Sequence, residues 1–161
     1  RMKRYPLQTL LQLRAHRTEA ARRGVLEAQH VVSTCRATCS RIEGEITDLG
    51  VERATHRSRL LDAPPPGVAW PAAMAQREAH IDLLDERIGA ARQRLGQAEE
   101  ALRQAEAALQ AARDAFFRAK GREDALEKRR DIWRDDQRNA QVRQEEALTD
   151  DLLQARHMAR H

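Results

Sequence analysis

Aromatic residues are almost missing from this sequence: one Tyr, two Trp and two Phe, 3% in all. Few side chains are large and apolar enough to wall off a dry cavity, so an enzyme core around a buried cleft is not expected. Seven Gly and five Pro are too few for a loop-rich all-β fold. Cys35 and Cys39 are the only cysteines, which leaves no disulfide framework. A bond between them would strain a shared helix, and reduced thiols in a cytosolic compartment are the expectation. No apolar run approaches the ~18 residues of a membrane-spanning helix. The opening RMKRYPLQ has no apolar signal core. Arg1 precedes Met2, which is expected to be the natural start.

What is abundant is Leu, Ala, Arg, Glu and Gln, with 34% of residues charged, the composition of long helices and coiled coils. The 161 residues amount to one domain. Net charge is +4 but uneven: residues 1–23 hold seven Lys or Arg against the single acid Glu19. Such an end can meet nucleic acid, anionic lipid or an acidic protein surface.

One segment breaks the helical texture. Pro64-Pro65-Pro66-Gly67 stops any helix, and Pro71 suits the first turn of the next. Leu7–Leu61 and Ala72–His161 contain no proline. Stepping alternately by four and three from Leu7 gives apolar residues at every position to Leu60 except Arg14, Thr18, Arg53 and His56. The same step from Met74 to Leu126 is interrupted only by Arg77 and Glu123. A 3.5-residue period held this long is the seam of a left-handed coiled coil.

The two seams mirror each other. Leu7 pairs with Leu126, Val32 with Leu102, Leu49 with Leu84 and Leu60 with Met74, all about Gly67. The expected fold is all-α: an antiparallel coiled-coil hairpin spanning 1–161 as one domain. Its helices run over about 7–61 (~80 Å) and about 72–158 (~130 Å), with the proline-rich turn at 62–71. This register sets Ala21 against Ala112, Ala28 against Ala105 and Cys35 against Ala98, which predicts close helices. Beyond Leu126 the second helix has no partner, so Glu127–His161 is expected to overhang and to fray unless bound.

The chain shows no Gly-rich phosphate loop, no Gly-x-Ser-x-Gly and no His-Glu-x-x-His. It is read as a non-enzyme with no cofactor and no metal. Its six histidines are scattered along the sequence. Cys35 and Cys39 could ligate a metal by spacing, but the core reading is preferred. Asp135-Asp136, Glu145-Glu146 and Asp150-Asp151 read as solvated helix faces. Trp133 and Ile132 on the overhang mark either a contact surface or a place where the N-terminal residues, including Tyr5, fold back. Arg14, Arg53 and a His56/Arg77 layer are polar seam positions that fix register at some cost in stability, or else splay the helices locally for a partner. Nucleic acid is not expected as a partner, since no aromatics interleave the basic stripe. Direct membrane insertion is not expected either, because the apolar faces are claimed by the opposite helix.

The stretch Pro6-Leu7-Gln8-Thr9-Leu10-Leu11-Gln12-Leu13-Arg14-Ala15-His16-Arg17, followed by Glu19-Ala20-Ala21-Arg22, resembles the opening of the type III secretion stalk family. That family includes the YscO/SctO proteins of injectisomes and flagellar FliJ. Ala125-Leu126-Glu127-Lys128-Arg129-Arg130-Asp131-Ile132-Trp133-Arg134 resembles its C-terminal helix. The resemblance implies a central stalk or adaptor, comparable to the γ subunit of rotary ATPases. Its joined N- and C-terminal end would enter a hexameric secretion ATPase, and its other end would point to the export gate. Carried onto this sequence, Leu7, Leu11, Arg14, Arg17, Ile132, Trp133 and Arg134 would contact the ATPase. Met74, Arg77, His80, Ile81 and Leu84 would face the gate. Secretion chaperones are further implied partners, and the implied place is cytoplasmic, at the inner-membrane base of the apparatus. The Arg/Ala-rich composition favours an injectisome member over a flagellar one. The rival readings are a coiled-coil adaptor or chaperone escort that binds partner helices, and a nucleic-acid-associated coiled coil.

Overall fold

The computed structural model describes residues 3–160; the expectation that Met2 is the natural start lies outside them. Two helices account for nearly all of the described chain: α1 (Gln8–Ser58) and α2 (Trp70–Ala159). They form an all-α hairpin, with no strand among the described residues. α2 continues as helix to Ala159, through the segment expected to fray.

The connection follows from its residues. His56 and Arg57 in the last turn of α1 suit the negative end of the helix dipole. Proline then denies further helical hydrogen bonds. Pro65 to Val68 forms a tight turn closed by the Val68 N–H donating to the Pro65 carbonyl at 3.1 Å. Gly67 takes φ +84° at its third position, a left-handed conformation that favours glycine. Pro71 lies in the first turn of α2, where its missing N–H costs nothing.

The chain divides into two compact units. One comprises Leu26–Ala111 and contains the turn. Its core is the seam: Val32, Cys39, Ile42, Ile81, Leu84, Ile88, Ala91 and Ala105 are buried. The other comprises Arg1–Val25 with Ala112–His161. There Leu11, Thr18 and Leu126 are buried on the seam, joined by Tyr5 from outside it. Thr18 tolerates burial because its Oγ1 donates to the Arg14 carbonyl one turn back, at 3.0 Å.

Ion pairs fix the register of the turn-bearing unit. Arg36 meets Glu106, Glu45 meets Arg94, Arg53 meets Asp85 and Arg77 reaches the Leu60 carbonyl. The midpoints of these pairs fall between residues 68 and 71, past Gly67, a shift of at least half a heptad from the sequence pairing. The sequence pairing matched like seam positions. Antiparallel knobs interleave, so each residue comes level with the other type of seam position on the facing helix. Val32, Cys39 and Ile46 therefore come level with Ala105, Ala98 and Ala91, and Ala28, Cys35 and Ile42 with Leu109, Leu102 and Leu95. Ala28 and Cys35 thereby face Leu109 and Leu102, and Val32 and Ile46 face Ala105 and Ala91, so most layers set one large residue against one small, which fills space evenly.

Candidate functional site

In the unit that carries the termini, the segment before α1 folds back onto α2. Tyr5 is 8% exposed. Its ring tilts against Trp133 with centroids 5.6 Å apart, and its hydroxyl donates to the Leu126 carbonyl at 3.5 Å. The fold-back alternative for Trp133 is therefore the one observed. The contact leaves Trp133 half-buried, while its neighbour Ile132 stays 54% exposed. The shielded stripe of α2 continues past Leu126 through Arg130, Trp133, Gln137 and Ala140, then ends.

The expected ATPase-facing residues separate by burial. Leu11 is buried, Arg14 and Trp133 are half-buried, and Leu7, Arg17, Ile132 and Arg134 are exposed. Leu11 can support a contact face but cannot form one. A shallow depression lined by Leu10, Arg14, Arg122, Ala125, Leu126 and Arg129 lies between the helices here. Three arginines and three apolar residues line it, which suits an acidic, partly apolar partner surface. Farther along α2, Leu148, Leu152, Leu153 and Met158 are exposed. Leu148, Leu152, Ala155 and Ala159 follow a 4-3-4 step on a helix face with no facing seam.

In the turn-bearing unit, Ile81 and Leu84 lie inside the seam, Leu84 completely so. They cannot touch a partner in the folded hairpin. Met74, Arg77 and His80 are half-buried. Arg77 Nη1 donates to the carbonyls of Leu60 at 2.8 Å, Asp62 at 2.7 Å and Arg59 at 3.4 Å. It holds the bend that follows α1, and the ring that meets His56 is that of His80. Leu61, Val68 and Trp70 are the exposed apolar side chains at the turn. Sequence reasoning passed over them because the seam period ignores turn residues; a Trp beside a proline turn was the available signal.

Ion pairs lie on and beside the seam of this unit. Arg53 Nε lies 2.8 Å from Asp85 Oδ1, an ion pair whose N–H is not aimed at the carboxylate. Glu45 and Arg94 form a two-pronged pair at 2.7 and 3.2 Å. The Arg94 hydrogen bonds hold the Glu45 carboxyl below the usual carboxylate range. Burial pushes the Cys39 thiol up, reinforced by Glu99 and Glu43. His56 and His80, read along the sequence as scattered, meet edge-on across the helices with ring centroids 4.3 Å apart. No helix of the described residues is long and apolar enough to cross a membrane.

The comparisons with known proteins converge on one family. No curated protein matches the sequence. The fold is similar to the solved structure of CT670 from Chlamydia trachomatis, provisionally described as a YscO homologue. That match has a TM-score of 0.79 and 19% identity, and covers 98% of this chain and 96% of that one. The model of the YscO-like protein family matches residues 2–161. With its seams, its turn and nearly its full length accounted for, the chain belongs to the YscO-like family of type III secretion stalk proteins.

Proposed function

We propose that the protein is the non-enzymatic central stalk of a type III secretion export ATPase. The unit that carries the termini enters the hexameric ring, and the turn-bearing unit is directed to the export gate. The observation that supports this most is the arginine-lined depression around Leu10 and Leu126, with exposed Ile132 farther along α2. It gives the terminal unit an asymmetric basic face with an apolar centre. A ring pore lined by acidic and apolar side chains would read that face as it turned past each subunit. At the other end, Leu61, Val68, Trp70 and Met74 offer the apolar side chains for the gate, with Arg77 and His80 holding the turn behind them. In the cell this places the protein in the cytoplasm, at the inner-membrane base of the apparatus.

The test is the ATPase activity of the cognate hexamer with and without purified chain. Wild type should raise the rate and favour ring assembly. Arg14→Glu with Arg17→Glu, or Ile132→Asp alone, should reduce the stimulation severalfold while the helical content stays unchanged. Undiminished stimulation by all these variants would remove the terminal unit from the ring.

A second reading is a chaperone escort, which the exposed Leu148, Leu152 and Leu153 favour. Truncation after Gln144 should then abolish chaperone capture and leave ATPase stimulation intact.

A further inference from the structure

Beside the turn, Glu52 and His56 stand one helical turn apart on α1, and His80 reaches them from α2. One ligand atom from each of the three lies within 4.8 Å of the others. His80 Nε2 is 3.9 Å from Glu52 Oε1. We propose that Glu52, His56 and His80 form a binding site for a divalent transition-metal ion of the zinc class, which clips the two helices together beside the turn.

The donor set selects the class. Two imidazole nitrogens and one carboxylate suit zinc, cobalt, nickel or copper, whereas magnesium and calcium prefer oxygen alone. Zinc sites with three protein ligands keep a fourth position for water or another donor. Here that position opens to solvent on the side of exposed Glu52.

The surroundings leave the site free to act. Two cations of this unit are committed elsewhere: Arg53 to Asp85 and Arg77 to three carbonyls just past α1. Neither takes the Glu52 carboxylate. A tetrahedral ion with ligands at about 2.1 Å needs its donors somewhat closer together than they stand. Closing that gap calls on rotation about χ1 and χ2 of the three side chains. The role is independent of ATPase stimulation, because all three residues lie in the turn-bearing unit.

The experiment titrates Zn²⁺, and Co²⁺ as a coloured probe, into the full chain in metal-free buffer by calorimetry and absorption. One ion per chain should bind, and Co²⁺ should develop the intense visible bands of a tetrahedral nitrogen–oxygen site. His56→Ala and His80→Ala should each weaken binding at least tenfold, Glu52→Gln should weaken it less, and His30→Ala should leave it unchanged. His56→Gln and His80→Asn keep the packing if an alanine variant loses helical content. Absence of saturable binding to wild type would overturn the site. So would full affinity in a folded His56→Gln, His80→Asn double variant, which would leave only a packed histidine pair with an ion-paired carboxylate.

Discussion

Tyr5 lies across Trp133 at an interplanar angle of 54° while its hydroxyl donates to the Leu126 carbonyl. One residue before the first helix thus holds two positions of the second, two turns apart. Replacing Tyr5 with Ala should cost on the order of 2 kcal/mol, from lost aromatic burial and the lost tilted ring contact. In a Trp70→Phe background, the Trp133 emission should shift to the red, and urea unfolding should report the loss of stability. An unshifted emission would mean that Tyr5 does not cover Trp133 in solution.

Gly67 and Gly96 should respond in opposite directions to the same substitution. A Cβ at either position meets nothing within 4 Å, so sterics do not distinguish them. Gly67 has φ +84°, and Gly67→Ala should destabilise by about 1 kcal/mol. Gly96 lies within α2, and Gly96→Ala should stabilise by roughly 0.5–1 kcal/mol. The two melting temperatures, measured side by side, check both signs.

The Glu45–Arg94 pair predicts an acid limb in stability. Arg94 depresses the Glu45 carboxyl in the folded state, so the folded state binds its proton less readily than the unfolded chain. The pair's contribution is complete above the ordinary glutamate value of about 4.3 and is lost as pH falls through the lower folded value. Glu100, held down by Arg103, adds to the same limb. Glu45→Gln should flatten the slope of stability against pH below about pH 4.5 and leave it unchanged at neutrality. A slope identical to wild type would show that the pair is open in solution.

Cys35 and Cys39 should differ as nucleophiles. Cys39 is 7% exposed and its thiol is pushed up by burial, while Cys35 is half-buried. A thiol reagent at mildly alkaline pH should modify Cys35 first and reach Cys39 only at the rate of local opening. Mass spectrometry of the labelled peptides separates the two. Faster labelling of Cys39 would contradict the register that places it level with Ala98.

The seam was legible because its period is a property of single residues: every position from Leu11 to Leu60 and from Met74 to Leu126 on the 4-3 step is at least half-buried. The level of one helix against the other was less so. Pairing Val32 with Leu102 or with Ala105 satisfies the apolar pattern equally, and only partners such as Glu45–Arg94 decide between them. Ile81 and Leu84 are contact residues on the resemblance alone. Their burial is the consequence of lying on the same seam the period identifies. The His56–His80 contact escaped because histidines were compared along the sequence, while the fold joins them across it. Tyr5 lies outside the helical period altogether, and no repeat could place it.

The guanidinium of Arg77 gathers the backbone of the bend just past α1, through the carbonyls of Leu60 and Asp62. On a chain emerging from the ribosome, α1 is made first, and these two carbonyls gain that donor only when residue 77 arrives. The exit from the leading helix is therefore pinned only when the returning one docks. Closure of the bend and docking of the second helix become a single cooperative event, one that a chain cut at Gly67 could never perform.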